Sequence, residues 1–302
     1  MPNRILIIGG TGTIGRVVAR RLLDAGAHVR ILSRGRRSPG ASGPTGHADY
    51  VVGDVKTGVG LAEAVADVDT VVHCVDPAHH VVEAALRAER PHLVYISIVG
   101  VDRIPLGYYR RKLADEQLIS TSGLPWTVLR ATQFHDLVAV MLRGLATLPV
   151  MVVPAGFSFQ PIDVRDVGVQ LAALALAGPA GRVPDMAGPE VLPMTDLARR
   201  YLAAVGKHRS VVPVALPGRL ARGYRAGANL APDRAVGTIP FDRYLEEQLA
   251  AGTVPYGDAI RSYLKVPAVQ ADPVTRLVGG WCGCHRNPAA LGSNHDLRAI
   301  NP

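Results

Sequence analysis

Arg4-Ile-Leu-Ile-Ile-Gly-Gly-Thr-Gly-Thr-Ile-Gly15 is a short apolar strand that runs directly into a glycine-rich turn. The next stretch, Arg16-Val-Val-Ala-Arg-Arg-Leu-Leu-Asp-Ala-Gly26, has the apolar spacing of an amphipathic helix. Strand, glycine turn and helix in that order form a seat for a dinucleotide. Gly9 turns the chain at the strand end, Gly12 lets the backbone approach a pyrophosphate, and Gly15 lets the helix lie close to the sheet. The helix start adds unpaired N–H groups and a positive dipole end. The G-x-G-x-x-G spacing is met by Gly10, Gly12 and Gly15 as well as by the reading from Gly9, and the spacing alone is weakly specific. Its place between Ile5–Ile8 and a helix makes it specific. Gly9, Thr11, Gly12, Thr13, Ile14 and Gly15 are therefore candidate cofactor contacts.

The 302 residues, 48% hydrophobic and 19% charged, suffice for one large α/β core or for one core with a small appended lobe. No apolar run approaches the roughly 18 residues of a membrane span, and Met1-Pro-Asn-Arg4 enters the first strand at once, leaving no room for a signal peptide. These features predict a cytoplasmic protein with no membrane partner. The three cysteines, Cys74, Cys282 and Cys284, form no paired framework, which fits a reducing compartment. The net charge of +8 is spread as arginines among acids, with no basic run longer than Arg34–Arg37. It predicts a solvated surface with one local anion site and no nucleic-acid partner.

Through the first half, apolar β-branched runs alternate with helix-period segments. Ile5–Ile8, Val29–Ser33, Tyr50–Gly53, Thr70–Val75, His92–Ser97 and Trp126–Arg130 read as strands, and Ile14–Ala25, Leu61–Ala66, His79–Ala88, Tyr108–Ser122 and Phe134–Leu145 as helices. The alternation predicts a Rossmann-type, doubly wound parallel sheet with its ligand crevice at the carboxyl ends of the strands. The expected division is a dinucleotide-binding domain over 1–148, a small substrate lobe over 149–266 and a poorly ordered tail over 267–302. In the lobe, Val150–Pro154 and Phe157–Pro161 read as strands, and Val164–Leu176, Met194–Val205 and Phe241–Ala251 as helices. Cys282-Gly-Cys284-His285 lacks the second Cys/His cluster of a structural zinc site, so no metal is expected.

Strand two ends Ser33-Arg34-Gly-Arg36-Arg37, where a dinucleotide fold faces the adenosine ribose. An acid there would bond the 2′-hydroxyl of NAD; three arginines and a serine suit the 2′-phosphate of NADP instead. Arg34 is nearest the strand end, with Ser33 and Arg37 in support. Asp54 and Val55 follow strand three, where Asp54 either accepts from the adenine amino group or caps the next helix. Cys74 and Val75 follow strand four, and Cys74 reads as a small buried hydrophobe rather than a nucleophile.

The segment with most chemistry is Tyr95-Ile-Ser97-Ile-Val-Gly100 followed by Tyr108-Tyr109-Arg-Arg-Lys112. On a helix, Tyr108 is four residues and Tyr109 three from Lys112, so either phenol can sit beside the ammonium. Such a phenol suits protonation of a carbonyl receiving hydride, the ammonium suits the nicotinamide ribose, and Ser97 suits the substrate oxygen. Thr132, Gln133 and Phe134, after strand six, suit nicotinamide or substrate contact. His135 is a third candidate acid, although a histidine at a helix start is more often structural. Asp163 is placed to cap a helix, with an ion pair bracing the pocket.

Together with Leu124-Pro-Trp-Thr-Val-Leu-Arg130 and Gln160-Pro-Ile-Asp-Val-Arg-Asp166, these motifs resemble the NmrA-like, NAD(P)H-binding branch of the atypical short-chain dehydrogenase/reductase superfamily, from Met1 to about Leu264. The resemblance implies an extended Rossmann domain, NADPH as cofactor and Lys112 as the active-site lysine. The branch often keeps only the lysine of the Ser, Tyr, Lys triad and includes reductases of quinones and phenolic compounds as well as non-catalytic redox sensors. The expectation is thus an oxidoreductase acting on a small carbonyl, quinone or enone, with Lys112, Tyr108 and Ser97 as catalytic residues; the alternative is an NADPH-sensing regulator. A nucleotide-sugar epimerase fits less well, because the lobe lacks an evident basic site for a diphosphate. Monomer and dimer remain open.

Overall fold

Ile5, Leu6, Ile7 and Ile8 are all buried, as a strand covered on both faces requires. The computed structural model describes residues 3–35 and 48–251. The first half of the chain runs β1 (Arg4–Ile8), α1 (Thr13–Asp24), β2 (His28–Ser33), β3 (Asp49–Val52), α2 (Leu61–Val65), β4 (Thr70–His73), α3 (His79–Arg87), β5 (His92–Ile98), α4 (Gly107–Thr121), β6 (Trp126–Ala131) and α5 (His135–Leu145). There follow β7 (Val150–Pro154), β8 (Ser158–Phe159), α6 (Val164–Leu176), β9 (Gly181–Arg182), β10 (Leu192–Pro193), α7 (Met194–Ala204), β11 (Ser210–Val214), α8 (Arg219–Arg225) and α9 (Phe241–Ala250).

The central sheet has seven strands in the order β3-β2-β1-β4-β5-β6-β9, and its pairs are parallel. This is the doubly wound Rossmann arrangement the alternation predicts. Side chains separate by the two-residue strand period. Ile5, Ile7, Ile31, Val72, Val94 and Ile96 face α1 and α6, whereas Leu6, Ile8, Val71, Leu93, Tyr95 and Val128 face α2, α3 and α4. Strand order reverses between β1 and β4, which opens the crevice at their carboxyl ends.

The chain beyond Leu148 serves both parts of the molecule. α6 packs on α1 and β9 extends the sheet, while β7 with β11 and β8 with β10 form two small sheets. Leu142, Met151, Phe157, Leu197 and Phe241 form the core under them. Asp163 caps α6 by accepting from the Arg165 N–H at 2.8 Å, and Arg165 bridges Asp163 to Glu247 of α9 at 2.9 and 2.7 Å.

β4 and β8 are shorter than expected, and β11 is an element the sequence reading did not contain. β4 stops at His73; the Cys74 N–H still donates to the Ile8 carbonyl of β1 at 2.9 Å, and Val75 and Asp76 form a bend beyond it. Of Phe157–Pro161 only Ser158–Phe159 pairs, because Pro161 has no N–H and the Ile162 N–H goes instead to the Gln133 carbonyl at 2.9 Å. β11 carries Pro213 inside it, which argues against a strand in sequence but is tolerated in a two-stranded sheet whose outer edge is open. Arg37 and the 267–302 tail, with Cys282, Cys284 and His285, lie outside the described residues.

Arg130 ties β6 to its covering helix. Its Nε and Nη2 donate to Glu116 of α4 at 2.8 and 2.7 Å, and its Nη1 donates to Asp102 at 2.9 Å. Losing one partner of such a pair strands the other charge in the interior. Arg130→Met is expected to cost about 3–5 kcal/mol in urea unfolding, and adding Glu116→Leu to recover most of it; a double variant no more stable than the single one would contradict this.

Candidate functional site

The carboxyl ends of β1 to β6 lie along one rim of the parallel sheet, and Gly9, Ser33, Cys74, Ser97 and Thr132 lie at or just past those strand ends. Gly9 has φ +88°, and a Cβ on it would lie 2.6 Å from Val75 Cγ1. The Gly12 N–H returns to the Gly9 carbonyl at 2.9 Å and closes the turn. Gly12 is the N-cap of α1, with no side-chain cap, and no acid of the first turn opposes the positive helix end. A Cβ on Gly15 would lie 2.1 Å from the Gly9 oxygen and 2.7 Å from the Gly10 Cα. This is the close helix-to-strand approach expected of Gly15, and the cradle fits a pyrophosphate. Thr11 and Gly12 are exposed, Thr13 is half-buried, and Ile14 is buried beneath the turn.

Ser33 is half-buried at the end of β2, with exposed Arg34 next to it. Asp54 does not cap α2, whose N-cap is Gly60; its Oδ1 accepts from the Lys56 N–H at 2.9 Å within the loop after β3. Val55 is buried beside it. Burial pushes the Cys74 thiol up to about 12, which leaves it protonated and unreactive at neutral pH.

At the other end of the rim, Lys112 is 4% exposed, and its Nζ lies 3.0 Å from the Ile96 carbonyl, 2.9 Å from Asp76 Oδ1 and 4.5 Å from the Tyr95 ring centroid. The Tyr95 hydroxyl lies 3.0 Å from Asp76 Oδ1 and 3.3 Å from Asp115 Oδ2. Asp115 Oδ1 accepts from the Ala78 N–H at 3.1 Å at the start of α3. Although burial opposes it, the adjacent Lys112 ammonium, with the Tyr95 hydroxyl, holds the Asp76 carboxyl below its usual value. His73 stacks on Tyr95, and burial with the Lys112 charge lowers it to about 4, so it is neutral. Ser97, on the same strand face as Tyr95, is 2% exposed, and its hydroxyl has no hydrogen-bond partner among the described residues.

The two tyrosines of α4 separate. Tyr109 is buried with Val101, Ile104 and Ala228, and its hydroxyl accepts from Gln133 Nε2 at 3.2 Å and bonds to Tyr224. Tyr108 is half-buried at the edge of that cluster, with Arg111 over its ring at 5.8 Å. Thr132 is buried and bonds the Gln160 carbonyl at 2.5 Å, and Phe134 packs on the sheet core. His135 is enclosed by Phe241 and Tyr244, with its Nε2 on the Ile239 carbonyl at 2.8 Å, which makes it a structural histidine. Sequence reasoning assigned no role to Asp76, Tyr95 or Asp115. The period of β5 already placed Tyr95 on the Ser97 face, but no local signal joined either residue to Asp76.

The family described as NAD(P)H-binding matches residues 9–143. The (4-alkanoyl-5-oxo-2,5-dihydrofuran-3-yl)methyl phosphate reductase of Streptomyces griseus subsp. griseus is 33% identical over 214 residues, covering 67% of this chain and 74% of that protein. The chain belongs to the NAD(P)H-binding family. Within it, the motifs place the chain in the NmrA-like branch of the atypical short-chain dehydrogenases/reductases. The photosystem II assembly factor Ycf39 of Cyanophora paradoxa is 25% identical over 238 residues, covering 70% of this chain and 72% of that one. Three longer mycobacterial relatives, 27% identical, are matched over only 24% of their length. In structure, the Escherichia coli NADPH-dependent quinone oxidoreductase QOR2 complexed with NADPH superposes with a TM-score of 0.69 at 17% identity, covering 81% of this chain and 99% of that one, a likeness of fold. No helix among the described residues is long and apolar enough to cross a membrane, and none of their His, Cys, Asp or Glu side chains form a group that could hold a metal.

Two outcomes follow. Gly15→Ala drives a methyl into the Gly9 carbonyl, so dinucleotide affinity, read by NADPH fluorescence, should fall at least about tenfold with a loss of roughly 1–3 kcal/mol of stability. Gly144→Ala, whose Cβ meets nothing within 4 Å, should leave both unharmed. On α5, burial pushes Asp136 up to about 6, while its Oδ1 accepts from the Tyr244 hydroxyl at 3.1 Å. A carboxyl raised on folding stabilises when protonated; that contribution is complete below about pH 4 and is lost as pH rises through about 6, a difference of about 3 kcal/mol. Asp136→Asn should therefore raise Tm near pH 8 and leave it almost unchanged near pH 4; equal shifts at both would count against the assignment.

Proposed function

We propose that the chain is an NADPH-dependent reductase of a small carbonyl, quinone or enone compound. The observation that carries the reading is a buried lysine, Lys112, and a hydroxyl, Ser97, unpartnered among the described residues, at β5, two strands along the rim from the glycine cradle that follows β1. In this reading the Gly9–Gly15 turn and the start of α1 hold the pyrophosphate, while Ser33 and Arg34, with Arg37 outside the described residues, take the 2′-phosphate. Asp54 and Val55 flank the adenosine, and Cys74, Val75, Thr132 and Phe134 line the way to the nicotinamide. NADPH supplies the hydride.

Lys112 bonds the nicotinamide ribose and stabilises negative charge near the reacting oxygen. Ser97 offers its hydroxyl to that oxygen, and Tyr108, half-buried where Tyr109 is buried, gives the proton. Burial of Tyr109 also raises it above the ordinary phenol value, which makes it the poorer acid. An enone substrate is supported by the Streptomyces relative, whose name describes an acylated unsaturated lactone. The lobe of the proposed substrate side carries a stacked pair, Phe157 on Tyr224 at 4.9 Å, next to the Tyr109 hydroxyl. A second reading, a non-catalytic NADPH-binding regulator, is supported by the similarity to an assembly factor; fold alone does not choose between them.

Wild-type protein is expected to bind NADPH at least about tenfold more tightly than NADH, and Arg34→Ala to erase the preference. Equal binding of both by the wild type would remove the NADP assignment. Oxidation of NADPH against a panel of quinones, enones and aldehydes then separates the two readings: turnover abolished by Lys112→Met supports the enzyme, and tight binding without turnover supports the regulator.

A further inference from the structure

Lys112 and Asp76 form a buried ion pair whose partners come from different walls of the crevice. Asp76 follows β4 at the strand-order reversal, and Lys112 projects from α4. An ammonium that is 4% exposed has few waters to hold its charge or its direction. The Asp76 carboxylate at 2.9 Å supplies the opposing charge, the Ile96 carbonyl at 3.0 Å a second acceptor and the Tyr95 ring a cation–π face. Asp76 is fixed in turn by the Tyr95 hydroxyl and keeps 20% of its side chain exposed, so the pair borders the rim and is not sealed in the core.

From this geometry we infer that Asp76 is a positioning residue for the cofactor: it holds the Lys112 ammonium at the nicotinamide end of the crevice and acts on the dinucleotide only through Lys112. The inference rests on the reading of Lys112 as a cofactor ligand. The other titratable groups around the pair do not supply this charge. His73 on β4 is neutral, Cys74 beyond it keeps its proton, and Tyr95 on β5 is a phenol held far above its ordinary value. Asp115 on α4 is raised by burial and by Asp76, and it faces the Tyr95 hydroxyl and the Ala78 N–H. Asp76 thus places a carboxylate at ion-pair distance, 2.9 Å, from Nζ.

A double-mutant cycle on NADPH affinity, read by fluorescence in the full chain with Tm recorded alongside, tests the inference. Asp76→Asn in the wild-type background should weaken NADPH binding about tenfold near pH 7 and by more near pH 9, because an ammonium left in the same place without its carboxylate loses its proton more readily. Wild-type affinity should stay flat over that range. In the Lys112→Met background, Asp76→Asn should change affinity by less than about twofold, since its effect runs through the lysine. Asp76→Glu, which keeps the carboxylate, should restore the flat pH profile. If Asp76→Asn does not fold, the same cycle is run with Asp76→Glu, whose longer arm displaces Nζ and should weaken binding only where Lys112 is present. Equal weakening by the Asp76 variant in both backgrounds, or a variant pH profile parallel to wild type, overturns the inference. If Lys112→Met itself leaves NADPH binding unchanged, the reading of Lys112 as a cofactor ligand fails instead.

Discussion

The contact between Gly15 and the Gly9–Gly10 backbone is the constraint on which the rest of the molecule depends. A single methyl at Gly15 would come to 2.1 Å from the Gly9 oxygen, so the helix can lie where it does only because that side chain is missing. With α1 seated there, its N-terminus opens onto the rim between β1 and β4, and Ile14, Val18, Ala19 and Leu22 reach the face of Ile5, Ile7 and Ile31. α6, arriving from much later in the chain, then covers α1 and closes that layer. Sheet order, crevice and helix layer follow from one close approach.

The opposite end of the crevice rests on electrostatics instead of sterics. Burying a lysine is unfavourable unless its charge is met, and removing one partner of a buried pair costs more than the pair gains relative to apolar substitutes. Lys112 meets a carboxylate, a carbonyl and an aromatic face, drawn from the end of β4 and from β5. Arg130 shows the same solution one strand further along, where Glu116 and Asp102 bring α4 and the turn after β5 onto β6. Both networks fasten α4, the helix that carries Tyr108, Tyr109 and Lys112, to the sheet beneath it.

Most of the fold was legible in sequence because it is written in periods. Two-residue alternation and near-continuous aliphatic runs located β1 to β6, and helix spacing located α1 to α7 and α9 to within one or two residues. β11 was illegible, since Pro213 argues against a strand unless its pairing partner is known to lie on one side only. In the candidate site, the glycine cradle, Ser97 and the helix face of Lys112 were legible because each is a local pattern. The partners of Lys112 were not: Asp76 is remote in sequence, and Tyr95 reads only as another apolar position in a buried strand.

Local spacing also says which face a side chain shares without saying what it meets. Tyr108 and Tyr109 were equivalent on a helical wheel, yet only Tyr109 is taken up by Gln133 and Tyr224, groups that arrive after β6 and from α8. By itself, the sequence determined the strand–turn–helix seat, the parallel α/β order and the lack of an acid at the end of β2, because each is written in a few consecutive residues. The tertiary structure alone decided that Lys112 lies against Asp76 and Tyr95 and that His135 is enclosed by Phe241 and Tyr244. A buried charge or ring is stabilised by whichever groups the fold brings within hydrogen-bond reach, and those groups come from distant parts of the chain.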